Sequence, residues 1–97
     1  MITGVTKSGF SYEFDENRLD DMRYVDLLTT VMDDGAKEFD KIAATSRLMT
    51  MLLGEELKQA LYQHIAEQHD GRVPVGAFRN YLEEIMSAAG EKSRKNS

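Results

Sequence analysis

The chain has no cysteine, no tryptophan, a single proline at Pro74 and no long apolar run. Without cysteine, a disulfide scaffold, thiolate chemistry and a cysteine zinc site are excluded, and the composition fits a reducing cytosol. No segment approaches the ~18 apolar residues of a membrane span. The N-terminal segment carries Ser8, Glu13, Asp15 and Glu16 and no apolar stretch, so no signal peptide is expected. Positive charge is also in short supply: 12 lysines and arginines against 17 acids, a net charge of −5. Phosphate-backbone binding needs a basic footprint, so nucleic acid is not an expected partner. Residues 1–50 hold ten acids and six bases, residues 51–97 seven and six, so the acidity sits mostly in the first half.

What is present suits one small domain. The chain has 97 residues, of which 41% are hydrophobic and 30% charged, the balance of a globular protein. Size scaling gives a folded surface of about 5,600 Å² against about 16,000 Å² unfolded, and a radius of gyration of about 13 Å. That supports one core and excludes a deep cleft between domains.

The patterning predicts a mainly α fold, a small helical domain of about four helices with a short N-terminal β-hairpin or extended ribbon. Residues 2–14 read as the ribbon. Phe10, Tyr12 and Phe14 alternate with Ser11 and Glu13, the period of a half-buried strand. Lys7-Ser8-Gly9 can close a three-residue hairpin with Gly9 left-handed. Helices are expected over 17–32, 36–53, 55–68 and 74–89. Asn17 or Asp20 caps the first, and Asp33-Asp34-Gly35 forms the next loop with Asp34 capping the second helix. Thr45 and Ser46 are candidate points of interruption in that helix, and Gly54 is a natural stop. In the third, Leu57, Leu61 and Ile65 form the apolar stripe, and Lys58, Gln59, Gln63 and Glu67 the other side. Pro74 suits the first turn of the fourth helix, and Gly90 ends it. The tail 91–97, with Lys92, Arg94 and Lys95, is expected to be disordered.

The apolar residues of the first helix, from Met22 to Met32, cover an arc of about 220°, where a surface helix needs about 100°. That helix is therefore either central to the fold or shared with a partner. In the second, Leu48, Met49, Met51, Leu52 and Leu53 spread over an arc of about 200°.

Constellations for chemistry fail on spacing. If Gly71 stood at the glycine position of a calcium loop, the first and twelfth ligands would fall on Ala66 and Ala77. His64 and His69 are about 140° apart on a helix and cannot chelate one metal from one face. Asp20-Asp21, Asp33-Asp34 and Glu83-Glu84 are pairs in sequence only, whereas acid–base catalysis needs two carboxyls facing one substrate. No catalytic residue, metal or cofactor is expected, and the chain is not read as an enzyme. The methionines Met22, Met32, Met49, Met51 and Met86 all fall on apolar arcs. Either they fill the core or they form an adaptable binding surface.

The run Leu52-Leu53-Gly54-Glu55-Glu56, then Leu57 and Leu61, then His64-Ile65, then Asp70-Gly71-Arg72-Val73-Pro74-Val75 resembles the tail assembly chaperones of long-tailed phages and prophages. The aromatic stretch Phe10–Phe14 before Leu19-Asp20-Asp21 fits as well, so the likeness covers roughly residues 10 to 88. It implies a protein of the bacterial cytoplasm that binds the tape measure protein, keeps it soluble and brings tail tube protein to it. It also implies a short form whose end, from Gly90 to Ser97, suits a junction to a frameshifted extension. The residues expected to carry binding are Val31, Met32, Met49, Met51 and Leu53, with homo-oligomerisation expected too. The alternatives are a structural tail or neck component of the virion and a host cytosolic protein-interaction adaptor.

Overall fold

The computed structural model describes residues 1–95, with side-chain surroundings through Glu91. Strands β1 (Ile2–Val5) and β2 (Ser11–Phe14) pair antiparallel, Ile2 opposite Phe14 and Gly4 opposite Tyr12. The loop is the three-residue one expected. The Thr6 N–H donates to Phe10 O (2.9 Å), and Gly9 takes φ 95°, a left-handed value glycine adopts without a Cβ penalty. Alternation puts Ile2, Phe10, Tyr12 and Phe14 on one buried face, while Thr3, Val5, Ser11 and Glu13 face out. The Tyr12 ring lies over Gly4, in space a Cβ there would occupy. This buried face packs on the helices, which a lone hairpin needs in order to persist.

The segment expected as one helix from residue 17 divides in two. Asp15 caps a 3-10 turn at Glu16–Leu19 by accepting from the Asn17 N–H, and Asp21 caps α1 (Met22–Met32) by accepting from the Arg23 N–H. Neither Asn17 nor Asp20 is the cap of α1. Two competing Asx caps six residues apart account for the break, each satisfying a backbone donor at its own helix start. Arg18 in the turn donates to the carbonyls of Met51 and Leu52 (2.9 and 3.3 Å). It thereby supplies a cation and donors to the unpaired C-terminal end of the next helix.

That helix, α2 (Glu38–Leu53), begins two residues later than expected, and its N-cap residue is Lys37, not Asp34. Lys37 makes no side-chain capping bond, but Glu38 and Asp40 in the first turn complement the helix dipole. Thr45 and Ser46 do not interrupt it. Thr45 is buried with its hydroxyl donating to Lys41 O (2.8 Å), which hides the polar group within the helix. Gly54 (φ 84°) is the single residue between α2 and α3 (Glu55–Glu67). Lys58 is not on a solvated face as expected. It is buried, and its Nζ donates to Ser46 Oγ (2.9 Å) and Thr50 Oγ1 (2.8 Å) and lies 5.5 Å over the Tyr62 ring. Two hydroxyls from α2 and an aromatic face replace the ammonium's water.

Asp70 and Gly71, both at positive φ, turn the chain into α4 (Val75–Lys95). This helix does not stop at Gly90. The residues after it include the helix formers Glu, Lys and Arg, which offset the roughly 1 kcal/mol cost of an interior glycine. The tail expected to be disordered is thus helical as far as Lys95, and residues 96 and 97 lie outside the described residues.

The core is built from α2, α3, α4 and the hairpin, with Leu48, Met49, Leu52, Leu61, Ile65, Leu82 and Ile85 fully buried. Each such side chain contributes about 1.5–3 kcal/mol by leaving water. Helix α1 contributes no buried residue. The radius of gyration is 13.3 Å, but the accessible surface, 6287 Å², exceeds the size-based expectation of about 5,600 Å². The open outer side of α1 is part of that surplus.

Burial raises the phenol pKa of Tyr12, with the Glu84 carboxylate adding to the effect, and burial alone raises that of Tyr24. The folded state therefore keeps these protons where the unfolded chain gives them up. Stability is full below about pH 10 and falls as pH rises through the raised values. Urea midpoints measured from about pH 8 to about pH 11 should drop. The drop should be shallower in a Tyr12→Phe, Tyr24→Phe double variant; equal slopes in the two proteins would contradict the assignment.

Candidate functional site

Helix α1 lies along α2 with one side in and one side out. Tyr24, Leu27 and Leu28 are half-buried against the core, and Val31 is half-buried one turn further on. Met22, Val25, Thr29 and Met32, spaced three, four and three residues apart, line the exposed side next to them. There Met22 is 68%, Val25 41% and Met32 72% exposed. This spacing keeps one face of a helix in register, so the four form a continuous stripe.

At its C-terminal end the stripe runs into a groove of about 480 Å³ between α1, α2 and α4. Leu28, Val31 and Met32 form one wall, Leu82 and Met86 the other, with Asp34, Lys41, Arg79 and Glu83 at the rim. Arg79 is fixed there by an ion pair with Glu38 (2.7 Å), whose hydrogen bond and charge hold the Glu38 carboxyl below the usual carboxylate range.

Of the five residues expected to carry binding, the structure brings two together here, Val31 and Met32. Met51 is half-buried in the last turn of α2. Met49 and Leu53 are core residues, at 0% and 8% exposure. Leu53 borders a pocket between the hairpin and α3, whereas Met49 is sealed inside because α2 is the helix on which α1, α3, α4 and β2 all pack. Its wide arc reports a central position, and the residues that take their place in the groove are Leu28, Leu82 and Met86. Phe78, Leu82, Ile85, Met86 and Ala89 recur at helical spacing, so the sequence marks Leu82 and Met86 as apolar-face residues of α4 but not their pairing with α1.

The surroundings of α1 are acidic. Residues 15–40 contain nine acids and three bases, so the chain's whole negative excess lies in this stretch. Two of the three bases are engaged: Arg18 on the α2 carbonyls, and Arg23 with Asp21 (2.8 Å). Hydrogen bonds from the guanidinium and backbone of Arg23 lower the Asp21 pKa.

A second polar cluster binds the hairpin tip to α3 and α4. Ser8 Oγ is hydrogen-bonded to His64 Nε2 (3.0 Å), to the Tyr81 hydroxyl and to Thr6 Oγ1 (3.1 Å), and the Lys7 N–H donates to Glu84 Oε2 (2.8 Å). A serine beside a histidine invites comparison with a nucleophile and its base, where a third group orients the imidazole. Here both polar neighbours of the ring, Ser8 and Gln68, reach the same nitrogen, Nε2. Among the described residues no carboxylate orients Nδ1, and the cluster acts as a clasp. In the same residues no three histidines or acids are grouped to hold a metal ion, and no helix is long and apolar enough to cross a membrane.

Comparison with protein-family models, with curated proteins and with solved structures finds no match to this chain.

Proposed function

We propose that this chain is a tail assembly chaperone of a long-tailed phage or prophage, acting in the cytoplasm of its bacterial host. In this role it binds the tape measure protein, keeps it soluble and helps recruit tail tube subunits. The observation that carries the reading is an apolar helix side left uncovered: the α1 stripe and the groove it enters. The motif likeness from Phe10 through Val75 supports it.

A tape measure rod exposes apolar stripes along its helices, and a groove flanked by Met32 and Met86 can repack around such stripes. A net charge of −5 favours keeping the complex in solution. The role needs no cofactor, metal or catalytic group.

Co-expression with the tape measure protein from the same gene neighbourhood tests this. The two should co-purify, and a Val25→Asp, Met32→Asp double variant should lose the partner while keeping its helical circular dichroism. Failure to bind any neighbouring tail protein overturns the proposal. Recovery of the chain from finished particles by mass spectrometry overturns it in favour of a structural tail component.

A further inference from the structure

We infer that the uncovered side of α1 is a docking surface for one class of occupant, an amphipathic helix whose apolar stripe is flanked by lysines and arginines. This deepens the chaperone reading and rests on it for the partner being a protein of the tail.

The occupant's shape follows from spacing. Met22, Val25, Thr29 and Met32 repeat every three or four residues over about 15 Å, the rise of ten helical residues. A row of that period accepts the matching row of a second helix, side chain into gap. At its far end Met32 also forms a wall of the 480 Å³ groove, so a docked helix can continue an anchor into it.

The occupant's charge follows from the frame around the row. Asp20 and Asp21 stand at its N-terminal end, Asp33 and Asp34 at its C-terminal end, and Asp26 beside it on the helix surface. Arg23 is already paired with Asp21, which leaves the frame net negative. A helix with basic flanks lays cations on this frame. One with acidic flanks meets like charge at both ends and along one side.

The same frame disfavours a second copy of this chain. Antiparallel pairing about the middle of the row sets Asp20 and Asp21 against Asp33 and Asp34 of the other copy. Parallel pairing stacks every acid on its twin. Within residues 20–34 neither arrangement brings in a compensating base, because Arg23, the one base of that stretch, is paired with Asp21.

Two designed helical peptides test the inference on the intact protein. Both carry the same leucine row, one flanked by lysines and the other by glutamates. Titration calorimetry at low salt should give at least tenfold tighter binding of the lysine peptide, the sum of several weak exposed pairs. That ratio should shrink as salt shortens the screening length towards a few ångströms. Amide shifts in the NMR spectrum should cluster on residues 22–34, and an Asp26→Asn, Asp33→Asn, Asp34→Asn variant, which keeps Asp20 and Asp21, should narrow the difference between the two peptides. Equal affinities for the native protein, no binding of either peptide, or shifts confined to the hairpin side overturn the inference. So does a doubled mass in light scattering that Val25→Asp abolishes, because a second copy then occupies the face. The chaperone reading is judged separately. A tape measure protein that co-purifies while the peptides bind equally removes only the charge assignment, and a strong lysine preference with no tail partner removes only the chaperone.

Discussion

Met49→Asp should leave the chain unfolded at 25 °C, whereas Met32→Asp should fold and melt like the parent. Both residues are methionines on apolar helical arcs, and the sequence treats them alike. Met49 is fully buried beside Leu48 and Leu52. A carboxylate there loses the methionine's packing, about 2–5 kcal/mol by analogy with large-to-small core changes. It also places an unpaired charge, or a proton-bearing acid without partners, where water does not reach, at a further cost of several kcal/mol. A domain of this size has roughly 5–15 kcal/mol in total, so the sum consumes most or all of it. Met32 is 72% exposed, and a polar residue there should change stability by no more than about 0.5 kcal/mol, a few degrees in melting temperature. Far-ultraviolet circular dichroism and a thermal melt read both outcomes. A native melting curve for Met49→Asp would mean that α2 does not carry the core.

The contrast between these two methionines marks where the sequence stops being legible. Local chemistry came through. The Phe10-Tyr12-Phe14 alternation, the glycine of the hairpin loop, the Asp33-Asp34-Gly35 break and the Gly54 corner each depend on residues adjacent in the chain. The helix ends came through less well: Asp21 and Lys37 hold the cap positions expected of Asn17 or Asp20 and of Asp34, and α4 runs on past Gly90. The larger loss depends on which helix sits in the middle. The arcs of α1 and α2 are about equally wide, yet α2 is enclosed on several sides and α1 on one, and width alone cannot rank them. Lys58 escapes the sequence for a related reason. Its acceptors, Ser46 and Thr50, lie on another helix, so nothing in α3 itself announces that the ammonium has somewhere to go. The groove joins Leu28 and Val31 to Leu82 and Met86 across more than fifty residues. No periodicity within either helix could have paired them.

Phe10→Ser should lower stability by about 2–4 kcal/mol, somewhat less than a typical buried phenylalanine truncation because the site lies at the hairpin's end. The ring is buried, and its centroid sits 5.6 Å from that of His64. It is the first apolar residue after the loop that clasps α3 and α4. Without it the polar bonds of Ser8 to His64 and Tyr81, and of Lys7 to Glu84, stand in water. Each is then worth about 1 kcal/mol or less. For a domain near a hundred residues the melting temperature should fall by about 10 °C or more. Ser11→Ala, on the exposed side of the same hairpin, should change it little. Hydrogen exchange separates a weakened core from a released ribbon. If the ribbon is integral, protection falls across α2 and α4 together with β1 and β2, because Ile2, Tyr12 and Phe14 belong to the same buried cluster as Leu48 and Ile85. If protection falls in the strands alone and the melt is unchanged, the ribbon is a separable arm. The core must then close over α2 without it.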